Sequence, residues 1–136
     1  MNVNEQEIEK ILNEQKRICV IGLSPDMSKP SYGVPHYMKQ HGYDVVGVYP
    51  RGEETAGMKI YPKLADVPIE YRQFINVFRR AEAIPEVVDE VLKLGGCEVL
   101  WLQLGIVNPD AEKKAEAAGI KVVSDKCLKI EHDRYL

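Results

Sequence analysis

Residues 17–50 read RICVIGLSPDMSKPSYGVPHYMKQHGYDVVGVYP and contain two short apolar runs on either side of a polar, helix-compatible segment. The first run, residues 17–22, is rich in β-branched side chains and ends at glycine, which is typical of a buried strand. Residues 31–42 predict a helix. Residues 44–50 form a second apolar run that stops at proline. This order predicts a parallel strand–helix–strand unit.

The predicted helix over residues 31–42 carries signals at both ends. Ser31 is a good N-cap residue, and Gly42 is a good stop because glycine readily adopts the left-handed conformation after a helix. Pro35 fits only in the first turn, since a later proline removes a helical hydrogen bond. These signals place the helix start at the end of a loop rich in serine and proline.

The alternation of strands and helices continues along the chain. An amphipathic helix over residues 4–15 precedes the first strand, with Ile8, Ile11 and Leu12 on one face. Further strands are predicted over residues 74–78, 98–105 and 120–124, with a short extra one over 58–60. Further helices are predicted from Pro85 to the Gly95–Gly96 pair, from the Asn108 cap and Pro109 to Gly119, and over residues 126–132.

This pattern predicts an α/β fold, a single Rossmann-like domain over residues 1–136 with a doubly wound parallel sheet of about five strands. The strands are continuous apolar runs, as in parallel sheets that are covered on both faces. Counting residues 74–78 as the third strand, we expect the order 3-2-1-4-5 rather than the flavodoxin-like 2-1-3-4-5.

Composition excludes several classes of protein. The net charge is −3 and no block of basic residues occurs, so a nucleic-acid partner is not expected. The polar start is unlike a secretory signal, and no apolar run is long enough to span a membrane. We therefore expect a cytoplasmic protein. Three widely spaced cysteines do not form a disulfide or zinc pattern.

Ligands of such sheets bind beyond the carboxyl ends of the strands, where the strand order reverses. This rule selects the candidate site residues, which are the segments that follow each strand: Gly22-Leu23-Ser24, Tyr49-Pro50-Arg51, Phe78-Arg79-Arg80, Gln103-Leu104-Gly105 and residues 124–127.

The first of these segments allows two interpretations. Gly22 would let a phosphate approach the backbone near a helix N-terminus. However, the loop lacks the G-x-G-x-x-G pattern, so a plain turn is equally consistent. Ser24 is not in a nucleophile elbow, because Asp26 replaces the second glycine of G-x-S-x-G.

Arginines follow two of the strands. Arg51 stands where NAD-binding sheets carry an acid, and a positive charge there suits a ribose phosphate, as in coenzyme A or NADP. Arg79 and Arg80 add two guanidinium groups at the same edge. A solvated Arg51, or pairing of Arg79 and Arg80 with nearby acids (Glu82, Glu86 or Asp89), is the alternative interpretation.

Catalytic chemistry is sparse. Cys127 follows the fifth strand beside Lys126, which favours a thiolate, although an inert, partly buried cysteine is the expected alternative. Cys19 and Cys97 are expected to be structural. The spacing of His36 and His41 does not suit a metal, and His132 is expected to pack or to lie on the surface. No nucleophile with a neighbouring base emerges, so we expect a binding protein rather than an enzyme.

In their order along the chain, several motifs resemble the small CoA-binding domain proteins, the stand-alone relatives of the N-terminal domain of the succinyl-CoA synthetase alpha subunit. The resemblance covers about residues 10–134. Its motifs are Val20-Ile21-Gly22-Leu23-Ser24-Pro25, Lys29-Pro30-Ser31-Tyr32, Val48-Tyr49-Pro50-Arg51, Val77-Phe78-Arg79-Arg80, Pro85-Glu86-Val87-Val88, Trp101-Leu102-Gln103-Leu104-Gly105 and residues 125–132.

The resemblance implies a Rossmann-like fold with coenzyme A lying across the strand ends. It implies that Gly22, Leu23 and Ser24 lie near the pyrophosphate, with Lys29 and the helix start at Ser31 and Tyr32 behind them. It implies that Tyr49, Pro50 and Arg51 lie beside the adenosine and its 3′-phosphate. Phe78, Arg79, Arg80, Ile84 and Pro85 would border the nucleotide, and Gln103, Leu104 and Gly105 would lie towards the pantetheine arm.

This chain departs from the family pattern at one position, since Tyr49 stands where an asparagine usually precedes the proline. The phosphorylated histidine of succinyl-CoA synthetase lies in a further domain, so ligase activity is not carried over and His132 is not given that role.

Four hypotheses follow from the sequence. The first is a CoA-binding module without catalysis. The second is a thiol–disulfide protein in which Cys127 reacts with coenzyme A, and the third is an NADP-binding reductase. The fourth is an interaction protein, such as a homodimer formed through the apolar face of the first helix, or a protein with an unknown partner.

Overall fold

Strands and helices alternate along the chain in the computed structural model, which describes residues 3–136. The helices in this range are α1 (Glu5–Glu14), α2 (Pro30–Gln40), α3 (Ile84–Leu94), α4 (Pro109–Ala117) and α5 (Leu128–Tyr135). The strands are β1 (Arg17–Ile21), β2 (Asp44–Val48), β3 (Glu54–Thr55), β4 (Met58–Tyr61), β5 (Phe74–Val77), β6 (Val99–Leu102) and β7 (Lys121–Val123). Short 3-10 helices cover Leu64–Asp66, Ile69–Tyr71 and Ala81–Ala83.

The sheet has the order β3-β4-β2-β1-β5-β6-β7 within residues 3–136. Its strands are parallel except for the antiparallel pair β3 and β4. Buried side chains of α1, α2 and α5 pack on one face, and those of α3 and α4 pack on the other. The sheet is therefore doubly wound, and the predicted α/β Rossmann-like class is confirmed.

The predicted strand count and strand order were wrong. The described chain has seven strands rather than about five, because residues 58–61 form a full strand and pair with a short hairpin partner, β3. β4 lies beside β2, in the position that we expected for residues 74–78. That segment, β5, instead pairs with β1 on its other side. The five predicted strands thus have the order 2-1-3-4-5.

The start of α2 also differs from the prediction. The N-cap is Lys29 without a side-chain cap, and Ser31 lies inside the helix. Pro35 is inside the helix beyond its first turn. Because proline has no N–H, the carbonyl of Ser31 lacks its helical donor, and the backbone N–H of Ser24 donates to it at 3.2 Å. The proline thus ties the loop after β1 to α2.

Other terminal signals agree with the structure. Asn108 caps α4, and its side chain accepts a hydrogen bond from the backbone N–H of Ala111 at 3.2 Å. Pro85 lies in the first turn of α3, one residue after Ile84. The apolar face of α1 (Ile8, Ile11, Leu12) is buried in the core, so this face is covered by the protein itself.

Candidate functional site

Two clefts open at the carboxyl edge of the parallel strands. The wide cleft has a volume of about 720 Å³ and is lined by segments that follow β5, β6 and β7, together with the start of α2. The narrow cleft has a volume of about 420 Å³ and is lined by the ends of β1 and β2, residues after β4, and α3. Both clefts therefore border the reversal of strand order between β1 and β5.

Half of the predicted site residues come together in the wide cleft. They come from four separate segments of the chain, which the parallel topology brings to one edge. The predicted residues in its lining are Lys29, Ser31, Phe78, Arg79, Arg80, Gln103, Leu104, Gly105 and Cys127.

The other predicted residues line neither cleft. Leu23 and Ile84 are buried in the core, and Ser24 is buried with its hydroxyl oxygen accepting from the backbone N–H of Asp26 at 3.0 Å. Tyr49 is half-buried, and Pro50 and Arg51 are exposed where the chain leaves β2. The remaining residues of this set are Gly22, Tyr32 and Pro85.

The structure shows why position 22 requires glycine, which the sequence did not reveal. Its φ is +90°, and a Cβ atom there would lie 2.4 Å from the carbonyl oxygen of Phe78. Its own N–H donates to the carbonyl of Val48 at 2.8 Å. Only glycine allows the loops after β1 and β5 to approach this closely. Gly22 thereby fixes the position of Phe78, which lines the wide cleft.

Leu23 packs across the sheet rather than towards the clefts. A Cβ atom on Gly47 would lie 2.3 Å from Leu23 Cδ2, so the missing side chain of Gly47 makes room for Leu23 on β2. The loop after β1 is therefore anchored by its side chains in the core. The remaining residues of this loop, 25–29, are exposed.

The narrow cleft contains functional candidates that sequence reasoning missed. Lys63 follows β4, and Glu86 and Glu90 come from α3. The available signal was the strand over residues 58–61, because the carboxyl-end rule applied to it selects Pro62 and Lys63. Arg79 contributes to the linings of both clefts, and among residues 3–136 it is the residue that the two linings share.

Asp125 joins the loops after β6 and β7, which together form one wall of the wide cleft. Its carboxylate accepts a hydrogen bond from the backbone N–H of Gly105 at 2.7 Å, and its own N–H donates to the carbonyl of Ile106 at 3.3 Å. The φ of Asp125 is +56°, a left-handed conformation that aspartate tolerates better than most residues. The loops after β6 and β7 are thus fastened together next to Gln103 and Cys127.

A buried amide pair lies beneath this wall. Asn76 on β5 is fully buried, and its Nδ2 donates to the Gln103 Oε1 at 3.3 Å and to the Trp101 carbonyl at 3.2 Å. The Gln103 Oε1 also accepts from the backbone N–H of Leu128 at 3.5 Å. The Asn76 Oδ1 is buried without a hydrogen-bond partner. Sequence reasoning missed Asn76, although a polar residue in the middle of an apolar strand was the available signal.

The charges at the edge are accessible. Arg80 Nε lies 3.9 Å from Glu82 Oε1, and both side chains are largely exposed, so this pair holds neither group strongly. Arg79 and Lys29 are exposed in the lining of the wide cleft. Guanidinium and ammonium groups in this setting suit an anion with several oxygens, such as a phosphate.

The three cysteines differ in environment. Burial raises the pKa of Cys19 to about 12 and that of Cys97 to about 12, so both remain protonated thiols at neutral pH. Cys127 lies at the N-terminus of α5 and lines the wide cleft. It is therefore the cysteine placed to meet a ligand there.

His132 is a packing residue. Its Nδ1 lies 2.9 Å from the Tyr37 hydroxyl, and its ring contacts the rings of His41 and Tyr43. Burial lowers its pKa, and the neighbouring His41 lowers it further. This cluster joins α2 to α5 away from both clefts.

Residues 3–136 contain neither a cluster of metal-ligating side chains nor a membrane-spanning helix. No group of three or more histidine, cysteine or acidic side chains there could hold a metal ion. None of the helices in the same range is both long enough and apolar enough to cross a membrane.

Comparison with known proteins gives a consistent set of relatives. The CoA binding domain family matches residues 16–133. The uncharacterized protein YneT of Bacillus subtilis is 36% identical over 133 residues, which is 96% of each chain. A solved structure from Thermus thermophilus has a TM-score of 0.89 at 38% identity and covers 98% of this chain and 100% of that chain.

A longer enzyme is also similar. The ADP-forming acetate–CoA ligase II of Archaeoglobus fulgidus is 29% identical over 103 residues. The match covers 74% of this chain but 15% of the ligase, so it concerns one part of that enzyme.

Proposed function

Because this chain belongs to the CoA binding domain family, we propose that it binds coenzyme A across the two clefts and does not itself catalyse a reaction. The observation that carries this proposal is the position of Arg79, which contributes to both clefts. Coenzyme A has a nucleotide head, a pyrophosphate and a long pantetheine arm. A cation between two clefts suits a ligand with its anionic centre between two unlike ends.

The dimensions of the edge support an extended ligand. From β4 to β7 the sheet has six neighbouring strands, and at about 4.8 Å per spacing these extend over roughly 24 Å. We assign the nucleotide head to the narrow cleft, near Lys63, and the arm to the wide cleft. The pyrophosphate then lies at Arg79, with Lys29 and Arg80 available from the same wide-cleft lining.

The residues after β2 keep the role that the family resemblance implies for them. Arg51 is exposed beside the end of β2, so its guanidinium is free to meet the 3′-phosphate at the rim of the narrow cleft. Tyr49 replaces the family's asparagine and offers a ring for stacking in place of an amide. These contacts are part of the proposal and are tested with it.

The chemistry of the linings supports binding without catalysis. Neither lining includes a histidine, and the acidic residues Glu82, Glu86 and Glu90 are not paired with a nucleophile there. The buried side chains of Asn76 and Gln103 are hydrogen-bonded to each other, so we assign them a structural role in the wide cleft. A small binding or carrier module is consistent with these features.

Isothermal titration with coenzyme A tests the proposal, using Arg79→Gln and a matched control, Arg17→Gln. Arg17 lies at the start of β1, at the opposite edge of the sheet. We expect micromolar or tighter binding, a loss of at least tenfold in Arg79→Gln, and less than a twofold change in Arg17→Gln. Arg51→Gln measures the contribution of the 3′-phosphate contact. Absence of binding by the unmodified protein would overturn the proposal.

One observation favours a second candidate function, thiol–disulfide exchange, namely that Cys127 lines the wide cleft. In this reaction the Cys127 thiolate attacks one sulfur of CoA disulfide. A Cys127–CoA mixed disulfide forms, and one CoA thiolate leaves and takes up a proton. Mass spectrometry after exposure to CoA disulfide would find an adduct that a reductant removes and that Cys127→Ser lacks. If the adduct is absent, this candidate is excluded.

The comparisons do not favour an NADP-dependent reductase.

A further inference from the structure

The end of the wide cleft formed by the loops after β6 and β7 is apolar and uncharged. Its lining there consists of Gln103, Leu104, Gly105, Ile106 and Cys127. Gln103 is buried, with its Oε1 already accepting hydrogen bonds from Asn76 and Leu128. The positively charged residues of the same cleft come from α2 and from the loop after β5. The cleft therefore has a cationic side and an apolar end.

The chemistry of a free pantetheine arm does not match this end of the cleft. Such an arm carries two amide groups and ends in a small thiol, whereas the lining offers mainly carbon surface. Leu104 is 59% exposed although it belongs to a cleft lining, and Val34 and Phe78 add apolar surface to the same cleft. An apolar group that covered Leu104 would remove this surface from water, which is favourable.

From these observations we propose that the preferred ligand is a CoA thioester with an apolar acyl chain, and that the acyl chain lies against Leu104 and Ile106. This inference rests on the proposed function, because the nucleotide and the arm must first occupy the clefts as described. To CoA binding, the inference adds the chemical class of the preferred ligand, an apolar acyl thioester. The charge distribution supports the same choice, because an acyl group that ends in a carboxylate would be desolvated among uncharged residues.

The wall against which the acyl chain lies is held in place before binding. Asp125 fastens the backbone of Gly105 and Ile106 to the loop after β7, and the Trp101 Nε1 donates to the carbonyl of Lys126 at 2.8 Å. A wall fixed in this way loses little conformational freedom on binding. The ordering cost that remains is then mainly that of the acyl chain itself.

The test measures dissociation constants for CoA and for its acetyl, butyryl, hexanoyl and octanoyl thioesters by isothermal titration. We expect affinity to rise with chain length, by about twofold to fourfold for each buried methylene. Succinyl-CoA, which has the same number of acyl carbons as butyryl-CoA, should bind at least tenfold more weakly than butyryl-CoA. Affinity that does not depend on chain length, or equal binding of these two esters, would overturn the inference.

Two matched variants assign the effect to the proposed wall. Leu104→Ser should lower the ratio of octanoyl-CoA to CoA affinity at least threefold, and this ratio corrects for any change in CoA affinity itself. Val107→Ser removes a similarly exposed apolar side chain, 46% accessible and outside the cleft lining, and should leave the ratio unchanged. Equal ratios in Leu104→Ser and the unmodified protein would also overturn the inference. Binding of CoA without preference for thioesters would leave the proposed function intact, whereas failure of all six ligands to bind would remove both.

Discussion

Gly22 shows how a single residue can be required for the shape of a site without contacting a ligand. Its left-handed backbone and the carbonyl oxygen of Phe78, which would lie 2.4 Å from a Cβ atom, leave no room for a side chain. The family resemblance implied a role near the pyrophosphate. The structure adds a role in the approach of two loops, and this role is independent of any ligand.

Gly22→Ala should therefore destabilise the fold by at least about 2 kcal/mol, because both backbone strain and a backbone clash oppose the new Cβ atom. Gly33→Ala is the matched control, since Gly33 lies inside α2 with no heavy atom within 4 Å of the added Cβ. It should stabilise by about 0.5–1 kcal/mol, as alanine is the better helix former. Urea denaturation gives both values. A neutral Gly22→Ala would contradict the contact with Phe78.

His132 predicts a dependence of stability on pH. Its pKa is lowered from the ordinary value of 6.5 in the folded state, so the unfolded chain binds more protons as the pH falls through this value. The contribution of His132 to the free energy of unfolding should therefore be fully present above pH 6.5, and the free energy of unfolding should decrease below that pH. The groups around the ring are Tyr37 of α2, the C-cap residue His41, Tyr43, Lys16 and, on its own helix, Asp133.

Urea midpoints measured between pH 8 and pH 5 check this prediction. His132→Gln should flatten the decrease, whereas His36→Gln should not, because His36 lies next to Tyr32 and outside this cluster. If the unmodified protein and His132→Gln have equal slopes, the imidazole is not the source.

At the scale of elements, the loops after β6 and β7 behave as one unit because of Asp125. Asp125→Ala loses the hydrogen bond to Gly105 and places a less tolerant residue at a φ of +56°. We expect a loss of about 1–2 kcal/mol in stability and weaker CoA binding. Asp125→Asn, which retains an oxygen acceptor and tolerates the left-handed conformation, should recover most of both. Calorimetry and denaturation measure the two effects, and unchanged CoA affinity in Asp125→Ala would show that this wall is not used.

The elements that the sequence predicted well are those with long apolar runs. β1, β2, β5, β6 and β7 were found within a few residues because continuous β-branched runs have few other interpretations. In the hairpin, β4 was predicted as a short extra strand over residues 58–60, whereas β3 has two residues and is too short to give that signal. Strand order was wrong because it depends on which strand occupies the position next to β2, and periodicity carries no such information.

The candidate site was predicted from the sequence to a similar extent as the fold. The carboxyl-end rule found Arg79, Gln103 and Cys127 because it needs only the ends of strands. The rule selected Leu23 and the family resemblance implied Ile84, but neither could tell that these side chains lie in the core. That depends on the direction of each side chain in three dimensions. Lys63 was missed because its strand was treated as an extra. The placement of Pro35 in the first turn of the helix was wrong because the carbonyl that it leaves without a helical donor accepts from the distant N–H of Ser24.

For the whole molecule, ligand binding should appear as added stability. At a free CoA concentration of about 100 times the dissociation constant, the gain is about 2.7 kcal/mol, which for a domain of this size raises Tm by roughly 10 °C. The shift should shrink as ionic strength rises, because phosphate contacts with exposed cations such as Arg79 and Lys29 are screened. Differential scanning fluorimetry across a salt series checks both trends. A CoA-induced shift that does not depend on salt would contradict the cationic contacts.

The position of Arg79 between the clefts has a consequence for how the proposed ligand can be dissected. If the ligand is cut into a nucleotide fragment and a pantetheine fragment, each keeps one cleft, but the covalent tether that raises the effective concentration of the second half is lost. The two fragments together should therefore bind far more weakly than the intact molecule. Separate fragments would therefore give affinities that underestimate the affinity of a linked ligand, whereas a compound that spans Arg79 and occupies both clefts would gain avidity.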